Sequence, residues 1–147
     1  MDGKPFIGTQ PAEKQPGAPA VVKTIKTETT NTVLGEDGII RVIMHPGSSE
    51  DLASAKAAID ALGKLCGGKK CPVIVDMAGT IGATQDARRY YSSEQATKQM
   101  SACAMLVGSP LSKVLCSFFL GLNKPRHPVQ LFTSEPDAVA WLKGYQT

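Results

Sequence analysis

The side chains with the most reactive chemistry in this sequence are four cysteines and two histidines, and their spacing decides whether they could act together. Cys66 and Cys71 have four residues between them, wider than the Cys-x-x-Cys pairs of zinc ribbons and redox motifs, and no second Cys or His pair follows at ligand spacing. No metal site is expected. Cys103 and Cys116 fall in apolar stretches, where a desolvated thiol is inert rather than nucleophilic. His45 and His127 both adjoin turn prolines, and neither has a carboxylate at a spacing that would orient its ring as a general base. Proton transfer by paired carboxylates would have to use Asp76 with Asp86, and Asp76, closing an apolar run, reads as a turn-stabilising group. Gly79-Thr80-Ile81-Gly82 lies between a strand and a helix, as phosphate-binding turns do. It has neither the Gly-x-Gly-x-x-Gly spacing nor a Gly-Lys-Thr ending. No catalytic constellation and no cofactor are predicted.

Two other groups of residues suit binding. Thr84, Asp86, Arg88 and Arg89, followed by Tyr90 and Tyr91, fall on the helix after the central strand, where guanidinium and phenol groups favour interfaces. Thr84 is the only hydroxyl at that helix start. As an N-cap it satisfies an amide; as a phosphorylation site it would gain the free amides there, and both readings fit. Asp86 is a favourable first-turn carboxylate, or a permanent anion in place of a phosphate. The second group is Leu115–Leu122, which contains Phe118 and Phe119 and is apolar almost all round. Such a helix is either enclosed by the rest of the fold or presents a patch for a protein partner, a second copy or an acyl chain. Lys124 and Arg126, with His127 beside them, give that end a basic rim suited to an acidic partner or an amphiphilic anion.

The elements that must position these groups follow from composition and periodicity. With 147 residues and 42% hydrophobic content the chain holds one ordinary domain. A net charge of +3, scattered along the sequence, predicts no nucleic-acid footprint. There is no apolar run of membrane-spanning length and no secretory signal pattern, so a cytoplasmic location with reduced thiols is expected. Residues 1–27, with four of the ten prolines and no sustained period, read as a disordered tail; residues 28–147 read as the domain. Within it Thr29–Leu34 and Ile39–Met44 form a hairpin about Gly35-Glu36-Asp37-Gly38. Ser48 and Asp51 look like a capping box opening a helix to about Leu65, with Leu52, Ala55, Ile59, Leu62 and Cys66 on one face. Val73–Asp76 reads as a central strand. A polar stretch from Thr84 follows, as two short helices or one kinked one, with Ser92 and Gln95 as a second capping box. Ala102–Val107 is a strand, Ser109-Pro110 starts a helix to about Leu122, Val129–Thr133 is the last strand and Ser134 caps a final helix. The order ββαβαβαβα predicts an α/β fold with a mixed sheet of about five strands and four to five helices.

Val73-Ile74-Val75-Asp76-Met77-Ala78-Gly79, Leu106-Val107-Gly108-Ser109-Pro110-Leu111, Phe118 to Pro125 and Leu131-Phe132-Thr133, in this order of elements, resemble the STAS domains of anti-sigma-factor antagonists. They resemble more closely the bacterial STAS/SEC14-like proteins. The resemblance covers nearly everything after the tail and implies a STAS-like fold and a non-enzymatic regulatory or scaffolding role through protein-protein interaction. Its SEC14-like side implies the alternative, a carrier or sensor of a small hydrophobic or anionic ligand. Antagonists carry an Asp-Ser-Ser-Gly-like motif whose serine is phosphorylated. Here the matching stretch is Thr84-Gln85-Asp86-Ala87, which lacks both serine and glycine, so the switch does not carry over.

Overall fold

The computed structural model describes residues 19–108, 113–114 and 127–145. Strands β1 (Val21–Lys26), β2 (Thr30–Gly35) and β3 (Ile40–Met44) form an antiparallel meander. Strands β5 (Cys71–Asp76), β7 (Met100–Leu106) and β8 (Val129–Phe132) then extend it in parallel, giving a six-stranded mixed sheet in the order β1-β2-β3-β5-β7-β8. A separate two-stranded parallel ribbon pairs β4 (Ser48–Glu50) with β6 (Thr80–Ala83). Helices α1 (Leu52–Cys66), α2 (Gln85–Tyr91) and α3 (Glu94–Thr97) precede β7, and α4 (Glu135–Leu142) runs into a 3-10 turn at Lys143–Tyr145. The α/β class and mixed sheet are those expected, with one more strand than the five anticipated.

That strand is β1, which occupies residues assigned to the tail. Its sequence is rich in β-branched residues, but nearly all its side chains are exposed and only Ile25 leans on the core. The ladder to β2 holds it rather than burial, so no amphipathic period announces it. A second correction concerns Ser48. The backbone stays extended through Glu50 because β4 pairs with β6, and the N-cap of α1 is Asp51, which exchanges hydrogen bonds with Ser54 at 2.8 Å in both directions. Leu52, expected on the buried face, is therefore exposed at the first helical position. Ala55, Ile59, Leu62 and Cys66 are buried as their spacing requires, and Gly67 ends α1 in the left-handed conformation. The polar stretch after Thr84 resolves into two short helices, and Ser93 rather than Ser92 caps the second.

Alternation along β5 and β7 divides the core between two faces. Val73 and Cys103 join Val42, Ile59 and Leu62 on the α1 side, whereas Ile74, Ala102 and Ala104 meet Ala138 and Leu142 of α4 on the other. The alanines let α4 pack close, and Trp141 sits with its ring centroid 5.6 Å from Phe132 and 5.0 Å from Tyr145. Fully burying each large aliphatic side chain is worth about 1.5–3 kcal/mol, so Ile39, Ile40, Ile74 and Leu62 anchor both layers. Of the helix expected from Ser109, only Lys113 and Val114 are described, both helical and exposed; Cys116, Phe118, Phe119, Lys124 and Arg126 lie outside the described residues.

Candidate functional site

On the α1 side the core is not fully packed. A cavity of about 130 Å³ lies between the sheet, α1 and α2. Its apolar wall comes from alternate positions of adjacent strands, among them Val42 and Met44 of β3, Val75 of β5 and Met105 of β7, with Ile59 and Leu62 of α1 opposite. These positions face one way because strand side chains alternate. Native cores rarely leave a void of this size, so its polar lining is informative.

Glu50 is the central polar group. The β4–β6 ribbon brings it inward from just before the helix cap, and it is only 2% exposed. Its Oε1 accepts the Tyr91 hydroxyl at 2.8 Å and the Ser54 hydroxyl at 3.2 Å. Its Oε2 is buried without a hydrogen-bond partner. An unsatisfied buried oxygen costs about 1–3 kcal/mol, more on a charged group. Burial, and then the neighbouring Glu50 carboxylate, push the Tyr91 phenol far up, so it remains a hydrogen-bond donor.

Three further polar residues line the cavity. Arg88 turns inward from α2, its Nη1 donating to the Ala83 carbonyl at 2.6 Å. Thr80 Oγ1 lies 3.3 Å from both the Ser48 and Gly82 carbonyls, holding the ribbon together. His127 has a buried Nδ1 without a partner, and burial together with the Lys70 charge hold its ring below the ordinary histidine value. A carboxylate, a phenol and a guanidinium thus share the lining of an otherwise apolar space.

The residues singled out in the sequence separate. Thr84 caps α2, its hydroxyl accepting the Ala87 amide at 3.1 Å, and its own amide donates to the Glu50 carbonyl at 2.9 Å. Asp86 and Arg89 are exposed, whereas Arg88 is half-buried against the cavity. The two arginines therefore do not form one surface. Asp76 accepts the Ala78 amide at 3.0 Å, stabilising the turn. His45 lies 3.1 Å from the Glu28 carbonyl and 2.9 Å from Asn31 Oδ1. Gly79 serves packing: a Cβ there would stand 2.8 Å from the Met44 carbonyl oxygen. Cys66 and Cys71 are free thiols, and burial pushes that of Cys66 up. Glu50, Ser54 and Thr80 were not legible as site residues, because Ser48-Ser49-Glu50-Asp51 looks like an ordinary acidic helix start.

Among the described residues, no group of three or more His, Cys, Asp or Glu side chains is placed to hold a metal ion, and no helix is long and apolar enough to cross a membrane. No curated protein matches the chain. Among solved structures it is similar to an uncharacterised protein of the DUF3478 family with a SpoIIAA-like fold from Shewanella loihica PV-4. That match has 12% identity and a TM-score of 0.49, and spans 85% of this chain and 94% of the other. It is also similar to a protein of unknown function from Arthrobacter sp. FB24, with 38% identity over 80% of this chain and 95% of that one, at a TM-score of 0.32. The model of the domain of unknown function DUF7793 matches residues 33–146, from within β2 to just beyond the last 3-10 turn, and the chain belongs to that family.

Proposed function

We propose that this protein is a non-enzymatic regulatory module that senses or carries a small, largely apolar ligand held between the sheet, α1 and α2. One observation carries the reading: an apolar cavity of about 130 Å³ is lined by the buried Glu50, one oxygen of which has no hydrogen-bond partner. A void removes packing and an orphaned oxygen removes hydrogen bonding, so the site weakens the fold in two ways that a ligand would repair. A binding site is the common reason for such a combination.

The STAS resemblance supports the regulatory half. Thr84, Asp86 and Arg89 are exposed on α2, the helix whose Arg88 and Tyr91 line the cavity, so a ligand would contact the element that carries a candidate protein-docking surface. Partner binding through α2, in a cytoplasmic setting, is the second half of the reading. Native mass spectrometry of the full chain, purified gently from its own cytoplasm, is expected to show a retained small-molecule mass. A bare chain whose melting temperature ignores small apolar compounds would sink the ligand reading and leave interaction through α2.

A further inference from the structure

We infer that the cavity selects a neutral, hydroxyl-bearing apolar molecule about the size of one six-membered ring, its hydroxyl donating to Oε2 of Glu50. This rests on reading the cavity as a ligand site. Size is the first constraint: about 130 Å³ is close to the roughly 150 Å³ of an engineered apolar cavity that binds benzene. A single ring fits this volume.

The head group is set by Glu50. Its Oε1 already receives the Tyr91 and Ser54 hydroxyls, while Oε2 is buried with no partner. A purely apolar molecule would restore packing and leave that oxygen orphaned, so a donor is selected over its hydrocarbon analogue. Charge narrows the choice. A carboxylate ligand would meet the Glu50 carboxylate in a desolvated space. An ammonium ligand would lose its own hydration there and meet the Arg88 guanidinium, which lines the same cavity and is anchored to the Ala83 carbonyl. A neutral hydroxyl avoids both penalties. Thr80 and Tyr91 are already hydrogen-bonded, and His127, whose Nδ1 is unpartnered on the same lining, is a second polar contact that a hydroxyl can meet as donor or acceptor.

Isothermal titration calorimetry of the full chain at neutral pH, with 4-methylphenol, toluene, benzoate and benzylamine as probes, tests this. 4-Methylphenol is expected to bind about tenfold or more tighter than toluene, the ratio that a hydrogen bond to a charged acceptor supplies. Benzoate and benzylamine are expected to bind more weakly than either. In Glu50→Gln the single amide oxygen stays with the Tyr91 and Ser54 hydroxyls and an NH2 group, which cannot accept, takes the place of Oε2, so the ratio of 4-methylphenol to toluene affinity should fall by about threefold or more. If that variant does not fold, the comparison of 4-methylphenol with toluene on the unaltered chain carries the test. Equal affinity for those two, or tighter binding of either charged probe, overturns the hydroxyl assignment while the cavity remains a ligand site. Binding of none of the four overturns both.

Discussion

At the scale of single residues, Glu50 and Tyr91 hold the site's electrostatics. The Tyr91 hydroxyl is one of two donors on the only satisfied oxygen of a 98% enclosed carboxylate, given that Glu50 is 2% exposed. Tyr91→Phe keeps the ring's packing and removes that donor, so a loss of about 1–3 kcal/mol in urea unfolding is expected. A change within error of zero would mean that Glu50 does not depend on the phenol. His127 governs a pH effect. Burial and Lys70 hold its folded value below the ordinary 6.5, so the unfolded chain takes up the proton first as pH falls. The fold should therefore lose stability from about pH 6.5 downward until the folded value is reached, and gain nothing above it. Denaturation midpoints across this range, compared with His127→Gln, check the sign: the variant should show a flatter profile.

At the scale of elements, the β4–β6 ribbon and the start of α2 connect the site to the sheet. The ribbon crosses the end of β3 so closely that the Gly79 amide region leaves no room for a methyl group against the Met44 and His45 backbone. The Gly47 amide donates to the Gly79 carbonyl at 2.7 Å in the same crossing. Gly79→Ala should cost about 1–3 kcal/mol in thermal or urea unfolding by forcing two backbones apart. It should also weaken ligand retention, because Glu50 rides on the displaced ribbon. Thr84→Ala removes the α2 cap and should cost about 1 kcal/mol, with Thr84→Ser restoring most of it. Should Thr84 instead serve only as a modification site, the alanine variant would melt with the parent.

At the scale of the whole molecule, the last helix is tied to the sheet by a charge cluster as well as by the apolar core. Arg41 of β3 donates to Asp37 in the β2–β3 turn at 3.0 Å and to Glu135 at the start of α4 at 2.9 Å. Burial by itself would raise Asp37, but the Arg41 guanidinium and the Ile39 amide outweigh it and hold the carboxyl below its usual 3.8. A depressed acid stabilises the fold above the unfolded value. That contribution should be complete above about pH 4 and should disappear as pH falls through the folded value. Acid unfolding followed by circular dichroism is expected to begin at higher pH in Arg41→Met than in the parent chain, because Asp37 loses the guanidinium that holds it low.

Periodicity and turn chemistry determined much of this protein without coordinates. The hairpin at Gly38, the buried stripe of α1, the central strand at Val73–Asp76 and the cap at Ser134 are local consequences of side-chain alternation, glycine conformation and amide satisfaction, which act within a few residues. Thr84 was legible as an N-cap for the same reason. Strand β1 was not, because a strand held by its ladder carries no apolar period. Neither was the cavity, since an unfilled volume belongs to no residue. It arises where β3, β5, β7, α1 and α2 fail to meet, and only their packing reveals it. Glu50 shows the difference most sharply. In the sequence it is one more acid before a helix; the pairing of β4 with β6 turns it inward, and that pairing joins segments thirty residues apart, beyond the reach of any local pattern.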